Sequence, residues 1–236
     1  MLLLNNDKYS IHKINDLVFM INNNDSIIGN SIKNGRNWEQ DLQKLLLDFT
    51  TERELFVDLG ANIGTHTINF SRYFKSVIAF EPHPEHVKYL YANLALNNVE
   101  NATVVPMGVS DTFKTISIPK HLSDFKLDAE NNFGNVSLLP QFHKSNVETV
   151  DIKVTPLDLF EFPCRISLLK IDVETMEHQV LRGATTTILK HKPVLCVESW
   201  DDKADETRRI IEEELHYETI YRKGMDFICL PSSENQ

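Results

Sequence analysis

The sequence has few cysteines, a deficit of basic residues and no long hydrophobic run. Its three cysteines, Cys164, Cys196 and Cys229, are too few and too widely spaced for a disulfide framework or a paired CxxC zinc site. The 24 Lys and Arg residues against 34 Asp and Glu give a formal net charge of −10. This charge argues against nucleic acid as a partner, because phosphate contacts need a basic surface.

No stretch approaches the ~20 apolar residues of a membrane span, and the apolar segment 1–4 is too short for a signal peptide. We therefore expect a cytoplasmic protein without a membrane or nucleic-acid partner.

Two catalytic motifs are also missing. The nine histidines form no HxxxH pair and no cluster with cysteine, so a dedicated zinc site is not expected. No Gly-x-Ser-x-Gly segment occurs, which removes the nucleophile elbow of a hydrolase. The 236 residues, 42% hydrophobic and 25% charged, match an ordinary globular protein that builds its own core.

From residue 55 onward, short apolar runs alternate with helical patterns. The runs and patterns predict strands at 55–57, 77–80, 102–105, 166–171 and 193–197, and helices at 65–73, 84–94, 176–189 and 203–215. Two further runs, 217–221 and 226–230, predict a closing hairpin with one antiparallel strand. Repeated strand–helix units predict an α/β fold with a doubly wound, mostly parallel sheet and helices on both faces.

Two regions stand outside this alternation. Residues 1–50 form a preface, in which a hairpin is predicted between 11 and 21 and a helix between 38 and 49. Residues 112–155 form an insertion, ~40 residues beyond a normal connection, where runs at 115–118, 136–139 and 150–154 predict added strands. We interpret the insertion as a lid or substrate wall within a single domain, 1–236. The apolar preface favours packing against a second copy, as in a homo-oligomer.

Three strand ends carry polar groups suited to a nucleotide-like ligand, and ligands bind at the carboxyl ends of strands in open α/β sheets. Gly60 and Gly64 follow the first strand, where they allow close approach of a ligand and tight packing of the helix start. Glu81 ends the second strand, in a position where an acidic side chain holds a ribose diol. The third strand leads into Ser110 and Asp111, where a polar side chain could read an adenine amino group.

The loop after the first strand favours S-adenosylmethionine over a nicotinamide dinucleotide. A dinucleotide prefers Gly-x-Gly-x-x-Gly, with small residues beside the pyrophosphate, whereas this loop contains Asp58 and Asn62. The Asp58 carboxylate would repel a pyrophosphate and suits a sulfonium or ammonium cation. The alternative, a glycine turn that caps the helix without any ligand, is disfavoured by the acids at the next two strand ends. The candidate cofactor-binding residues are Asp58, Gly60, Asn62, Gly64, Glu81, Pro82, Ser110 and Asp111.

In these segments the chain resembles the FkbM-type class I methyltransferases. The most specific matches are Asp-x-Gly-Ala-Asn-x-Gly at 58–64 and Lys-Ile-Asp-Val-Glu at 170–174, and others lie at 35–39, 79–84, 105–111, 180–184 and 193–198. The resemblance implies a Rossmann-like sheet of seven strands, S-adenosylmethionine as cofactor, and methylation of a hydroxyl on a sugar, glycan or other small molecule. The fourth strand end lacks the Asn/Asp-Pro-Pro-Tyr-like segment of many base methyltransferases, which further disfavours a nucleic-acid acceptor.

By the same resemblance, the fourth strand end lies beside the transferred methyl group. Lys170, Asp172 and Glu174 alternate there, so all three point the same way if the strand geometry continues, with Asp172 nearest the chemistry. An alcohol acceptor must lose its proton to a nearby base, and the candidates are Asp172, Glu174, His178 and Glu198. Alternatively, Asp172 and Glu198 could hold a Mg²⁺ ion that lowers the pKa of the acceptor. The metal-free mechanism is favoured.

Thr175 stands where the family usually has glycine. If this position needs a positive φ, a β-branched residue there is strained. A catalytically idle cofactor-binding or scaffold protein is therefore a second hypothesis, and a nicotinamide-dependent oxidoreductase is a third, disfavoured by Asp58 and Asn62. Trp38 and Glu39 are candidates for a flap over the cofactor, although Trp38 also fits a core position.

Overall fold

Strands and helices follow one another through the computed structural model, which describes residues 1–127, 129–200 and 202–232. In chain order the strands are β1 (Leu2–Asn5), β2 (Tyr9–Ile14), β3 (Leu17–Asn22), β4 (Leu55–Leu59), β5 (Ser76–Phe80), β6 (Ala102–Val105), β7 (Gly108–Val109), β8 (Lys114–Pro119), β9 (Thr149–Thr155), β10 (Ile166–Ile171), β11 (Val194–Glu198), β12 (Tyr217–Lys223) and β13 (Asp226–Pro231). The α-helices are α1 (Ile28–Lys33), α2 (Gln40–Phe49), α3 (Thr65–Ser71), α4 (Pro84–Leu96), α5 (Glu177–Gly183), α6 (Thr185–His191) and α7 (Ala204–Arg209).

Over the described residues, the central sheet has seven strands in the order β12-β13-β11-β10-β4-β5-β6. β13 runs antiparallel to both of its neighbours, whereas β11, β10, β4, β5 and β6 pair in parallel. The predicted α/β fold, its seven mostly parallel strands and its antiparallel C-terminal strand are confirmed. The winding reverses between β4 and β10, and ligands of such sheets bind at the strand ends near this point.

The two faces of the sheet are buried by different helices, because side chains alternate along each strand. On one face, Phe56 and Leu168 pack with Leu46 of α2 and Phe70 of α3, and α4 covers the edge of that face near β5 and β6. On the other face, apolar side chains of β4, β10 and β11 pack against α5, α6 and α7. All residues of β4 and β10 are buried, which is why both read as continuous apolar runs.

The preface is a three-stranded antiparallel sheet that packs on α4. Its predicted hairpin is β2 and β3, and β1 adds an edge strand whose residues are all exposed. Asn93 of α4 joins the two parts: its Oδ1 accepts from the Met20 N–H at 2.6 Å, and its Nδ2 donates to the carbonyls of Met20 and Ile63. Polar bonds therefore fix the preface beside the loop that follows β4.

The insertion contributes a second sheet in the order β7-β9-β8. Two of its three predicted strands are confirmed as β8 and β9, but the prediction for 136–139 is wrong. That stretch is irregular backbone, and Val136 and Leu138 from it line a cavity instead of joining a sheet. Alternation of apolar residues marked a buried segment there without specifying a hydrogen-bonded partner strand.

Two helices differ from their predicted bounds. The pattern at 176–189 predicts one helix, but the chain leaves helical geometry at Ala184 and continues as α6. Asp158, 29 residues from Thr187 in sequence, accepts hydrogen bonds from the backbone N–H groups of Thr186 and Thr187, which caps α6. The pattern at 203–215 is α7 followed by a π-helical segment, Ile210–Glu214. Among the described residues, none of the helices combines the length and apolar character needed to cross a bilayer.

Candidate functional site

A cavity of about 220 Å³ opens at the carboxyl ends of the central strands. One part of its wall, the Glu81 side, comes from the ends of β4, β5 and β6 and comprises Gly60, Asn62, Glu81, Pro82, Gly108 and Val109. The Asp172 side comes from the ends of β10 and β11 and the turn before β13, and comprises Lys170, Asp172, Glu174, Glu198, Trp200 and Met225. The preface adds Ile28, Trp38 and Glu39, and the insertion adds Asn135, Val136 and Leu138. Both regions outside the strand–helix alternation therefore reach the cavity.

The loop after β4 is tightly enclosed by the rest of the chain. Gly60 has a φ of +85°, and a Cβ atom there would lie 1.7 Å from the carbonyl oxygen of Asp172. Gly64 has a φ of +89°, and a Cβ atom there would lie 2.5 Å from Cδ1 of Leu90 on α4. Both glycines are thus required by their surroundings. The close neighbour of Gly60 is the backbone after β10, and that of Gly64 is the helix α4 rather than the predicted strand.

Glu81 is a buried carboxylate in the cavity wall. Its Oε2 accepts a hydrogen bond from the Asn62 backbone N–H at 2.8 Å, and its Oε1 accepts from the His83 backbone N–H at 2.9 Å. Nδ1 of His86 lies 3.4 Å from Oε1. Burial raises the pKa of Glu81, but His86 and the two backbone groups outweigh it and hold the pKa below its usual value. Glu81 is therefore ionised where the sequence predicts an acceptor for a ribose diol.

Asp58 lies beneath the cavity rather than in its wall. Its position in β4 places it on the α3 face with Phe56, and Oδ2 accepts a hydrogen bond from the Thr67 hydroxyl at 2.6 Å. Burial raises the pKa of Asp58, and the charge of Lys170, its neighbour on β10, opposes that effect. Of the described residues from 55 to 66, those that line the cavity are 59–62, 65 and 66, and Asp58 is not among them. The structure does not bring this predicted cofactor ligand to the cavity.

Lys170 and Asp172 form a buried ion pair on the Asp172 side. Nζ of Lys170, whose residue is 3% exposed, donates to Oδ2 of Asp172 at 2.6 Å. Burial lowers the pKa of Lys170, but the charges of Asp172 and Asp58 raise it well above its usual value, so the ammonium is charged. The negative charge of Asp172, followed by burial, raises the pKa of Glu198 far above that of an ordinary carboxyl. The two predicted acids of β10 and β11 therefore both line the cavity, and Asp172 has the ion pair with Lys170.

The preface contributes Trp38 and Glu39 to the same cavity. Oε2 of Glu39 lies 2.8 Å from Nε2 of His66, at the start of α3. Burial raises the pKa of Glu39, but the contact with His66 outweighs it and lowers the pKa. The flap predicted from Trp38 and Glu39 thus has a fixed attachment to the helix that begins after Gly64. Trp38 also packs against the core of the preface, which confirms its predicted core position, and its role as a flap over the cofactor stays a prediction.

The strand geometry of β10 ends at Ile171, before it reaches Glu174. Glu174 and Thr175 have φ values of +53° and +78°, so the predicted common direction of Lys170, Asp172 and Glu174 does not hold as strand geometry. Glu174 nevertheless lines the cavity. Thr175 occupies the left-handed region that favours glycine, as its departure from the family pattern predicts. The Thr175 hydroxyl lies 2.9 Å from the Ser137 hydroxyl, and its carbonyl accepts from Nζ of Lys203 at 2.8 Å.

Ser110 and Asp111 are placed away from the cavity. The Ser110 N–H donates to the Thr155 carbonyl, its hydroxyl donates to Asp111, and its own carbonyl lies against Gly183 of α5. Among the described residues of this segment, the cavity is lined by 107–109. Ser110 and Asp111 therefore do not line the described cavity, where Gly108 and Val109 form that part of the wall, and their contact with an adenine stays a prediction.

Sequence reasoning missed several residues of the wall. His83 and His86 lie beside Glu81, and burial, with a smaller contribution from His86, lowers the pKa of His83 to about 4. Two histidines within five residues of a strand-end acid were the available signal. Trp200 follows Glu198 by two residues at the end of β11, which was the signal available for it, whereas Asn135 carried no such signal because it lies in the irregular part of the insertion.

A metal ion in a protein is usually held by several His, Cys, Asp or Glu side chains. Within the part of the chain that the structure describes, no group of three or more His, Cys, Asp or Glu side chains is arranged to hold a metal ion. A Mg²⁺ ion between Asp172 and Glu198 stays the untested alternative to the favoured metal-free mechanism.

One family model matches the chain, and the curated relatives that it resembles are named as methyltransferases. The sequence profile described as the methyltransferase FkbM domain matches residues 58–221. Methyltransferase 1 of Beauveria bassiana is 31% identical over 163 residues, which are 63% of this chain and 66% of that protein, just under two thirds of its length. Hexuronic acid methyltransferase AglP of Haloferax volcanii is 27% identical over 195 residues, 80% of this chain and 75% of that protein. The crystal structure of methyltransferase FkbM from Methylobacillus flagellatus shares the fold, with a TM-score of 0.51 and 22% identity over 75% of this chain and 43% of that one.

Proposed function

The chain belongs to the FkbM methyltransferase domain family, and from this premise we propose that it transfers a methyl group from S-adenosylmethionine to a hydroxyl group of a sugar or other small molecule. The observation that carries the proposal is Glu81. It is a buried, ionised carboxylate at the end of β5, in the wall of a cavity located where α/β sheets bind nucleotide-like ligands.

The residues at the cavity fit this cofactor. Glu81 keeps free lone pairs on both oxygens after accepting two backbone N–H groups, which suits the two hydroxyls of a ribose. Backbone at Gly108 and the ring of Pro82 offer a flat apolar wall for an adenine. Glu39 and Asp172 outnumber Lys170 on the other side, which favours the cationic sulfonium and ammonium groups.

S-adenosylmethionine, when bound, supplies an electrophilic methyl group. The chain must align an acceptor oxygen with that group, exclude water and take up the hydroxyl proton. The Asp172 side provides the acids for this task, because Asp172, Glu174 and Glu198 all line the cavity. Asp172 is engaged by Lys170, whereas Glu198, whose pKa is raised by the charge of Asp172 and by burial, is the candidate to take up the proton.

A sugar acceptor is supported by two observations. The sequence contains two tryptophans, and both line this cavity, Trp38 from the preface and Trp200 from the end of β11. Indole rings offer flat apolar surface with a polar edge, and neighbouring carboxylates accept hydrogen bonds from hydroxyls. The relative from H. volcanii is named for methylation of a hexuronic acid. The acidic wall of this cavity favours a neutral sugar over one that carries a carboxylate.

The second candidate is a catalytically idle protein that binds the same cofactor. Thr175 supports it, because a β-branched residue with a φ of +78° replaces a family glycine directly after the acids of β10. A nicotinamide-dependent oxidoreductase is the third candidate and is opposed by the acids around the cavity.

Calorimetric titration and a methyl-transfer screen test these alternatives. We expect binding of S-adenosylhomocysteine and no binding of NAD; the reverse order would overturn the proposal. Labelled methyl donor is then offered with neutral sugars, hexuronic acids and sugar nucleotides, with heat-treated protein as the blank. Transfer to any hydroxyl rules out the idle protein, and transfer to hexuronic acids alone would contradict the preference for a neutral sugar.

A further inference from the structure

Asp172 and Glu198 stand level with each other at the ends of adjacent strands. β10 and β11 pair in parallel with Ile171 opposite Val197, so the next residue on each strand is Asp172 and Glu198 respectively. Neighbouring strands lie about 4.8 Å apart, and both residues line the cavity. Two carboxyl groups therefore share a small volume at the mouth of the sheet.

The ammonium group of Lys170 forms its ion pair with one of these two acids, Asp172. Nζ of Lys170 donates to Oδ2 of Asp172 at 2.6 Å, which stabilises Asp172 as a carboxylate. Three further acids of the described chain lie near Glu198: Asp226 is its register partner on β13, Glu39 reaches the cavity from the residue before α2, and Glu174 follows on the loop after β10. His66 is directed to Glu39 rather than to this pair.

Two like charges this close do not ionise equally. Asp172 has the ion pair, so the cost of the second negative charge falls on Glu198, and its pKa rises because of Asp172 first and burial second. The same surroundings, burial first and the charge of Glu39 next, raise the pKa of Asp226 to about 6. A further cation near Glu198 would reverse this effect.

We propose that Glu198 holds a proton in the free protein, releases it to solvent when the sulfonium cation of the donor enters the cavity, and takes the acceptor's hydroxyl proton during methyl transfer. This rests on the proposed function, since it assumes an S-adenosyl cofactor. Glu198 is then the catalytic base. Lys170 is a positioning residue, because its ion pair holds the Asp172 carboxylate in place.

The charges balance in every state. In the free protein Glu198 is neutral and the cation is absent; with the donor present, the carboxylate of Glu198 offsets the sulfonium. During transfer the acceptor oxygen forms a bond to the methyl carbon, the carbon–sulfur bond breaks with its electron pair going to sulfur, and the hydroxyl proton goes to Glu198. The thioether product is neutral and Glu198 is protonated again. The net charge of the cavity is therefore the same before binding, before transfer and after it.

Calorimetry with two ligands that differ by this one charge tests the inference on the wild-type protein. Titrations at pH 7 in buffers of different ionisation enthalpy give the number of protons released on binding. S-adenosylmethionine is expected to release about one proton, and S-adenosylhomocysteine close to none, because its sulfur is uncharged. Equal release for both ligands would overturn the inference and leave the cofactor assignment intact. Failure of both ligands to bind would overturn the proposed function and this inference with it.

Two variants identify the group that loses the proton. Glu198→Gln is nearly the same size and is expected to abolish the release with S-adenosylmethionine while S-adenosylhomocysteine still binds. Glu85→Gln is the control, since Glu85 does not belong to the described cavity wall and its bond from the Leu122 N–H can be replaced by the oxygen of glutamine, and it should release as the wild type does. Undiminished release from Glu198→Gln would refute the assignment. Thermal unfolding shows whether that variant folds, and if it does not, the wild-type comparison of the two ligands decides.

Discussion

The Cα of Gly60 is turned towards the backbone of Asp172 so closely that a Cβ atom would lie 1.7 Å from the Asp172 carbonyl oxygen. The two residues follow adjacent strands, β4 and β10, and the Asp172 N–H donates to the Leu59 carbonyl at 3.0 Å. Backbone contacts thus hold the loop after β4, on the Glu81 side of the cavity, against Asp172 on the other side. A change at Gly60 must therefore move Asp172.

Gly60→Ala is expected to lower the free energy of unfolding by more than about 3 kcal/mol, because it combines a left-handed φ with a backbone clash. Gly35→Ala is the matched control. Gly35 also has a left-handed φ, of +75°, but nothing lies within 4 Å of the added methyl group, so its cost should stay at about 1–2 kcal/mol. Urea unfolding measures both. Equal losses in the two variants would show that the contact with Asp172 carries no energetic weight.

At Thr175, glycine is expected to be more stable than alanine by about 1 kcal/mol. Both changes remove the hydroxyl that lies 2.9 Å from the Ser137 hydroxyl. They differ in the Cβ atom, which is unfavourable at a φ of +78°. Urea unfolding of Thr175→Gly and Thr175→Ala separates the backbone strain from the lost hydrogen bond. An alanine variant as stable as the glycine variant would mean that this backbone is not strained.

Strand ends were predictable from this sequence, but the direction of side chains there was only partly so. The apolar runs at 55–57 and 166–171 located the two central strands, because buried parallel strands need such runs. Asp58 was read as a cavity residue from its place in a motif. Asp58 is two residues after Phe56 in β4, and residues two apart in a strand share a face. Asp58 therefore lies on the α3 face with Phe56, where its carboxylate accepts a hydrogen bond from the Thr67 hydroxyl.

Contacts between distant segments could not be predicted in the same way. Glu39 meets His66 across 27 residues, and Ser137 meets Thr175 across 38. Neither pair has a periodic signal, because both lie in loops or at helix starts. The preface and the insertion were recognised as additions to the fold, but the residues that they bring to the cavity depend on tertiary packing alone.

Glu177 is expected to make stability depend on pH. Oε1 accepts the Thr175 N–H at 3.1 Å, and Oε2 is buried without a hydrogen-bond partner in the described structure. Burial raises the pKa of Glu177 to about 7, from 4.5 for an ordinary Glu. Between these values the folded protein holds a proton that the unfolded chain has lost, so the contribution of Glu177 to stability falls as pH rises from 4.5 to 7.

The difference in unfolding free energy between Glu177→Gln and the wild type should therefore grow across that window, by up to about 3 kcal/mol, and level off above it. Urea unfolding at intervals from pH 4.5 to 8 measures the difference. Glu213→Gln, at an exposed position, serves as the control and should give a flat line. A flat line for Glu177→Gln as well would contradict the raised pKa.

Glu81→Gln is expected to weaken S-adenosylhomocysteine binding at least about tenfold, because a charge-assisted hydrogen bond is lost. In the protein both Glu81 oxygens accept backbone N–H groups, from Asn62 and from His83. Glutamine offers one oxygen, so its NH₂ group must face one of these donors, and the ribose loses an ionised acceptor as well.

Glu85→Gln separates this effect from a general loss of charge near the start of α4. Oε2 of Glu85 accepts the Leu122 N–H at 3.0 Å, a bond that the oxygen of glutamine can replace, and Glu85 does not belong to the described wall of the cavity. Calorimetry should give it an affinity within twofold of the wild type. If both variants lost affinity equally, the field of the two acids rather than a contact of Glu81 would govern binding. If Glu81→Gln bound S-adenosylhomocysteine as the wild type does, the ribose could not lie on Glu81, and the cofactor would have to be placed elsewhere along the strand ends.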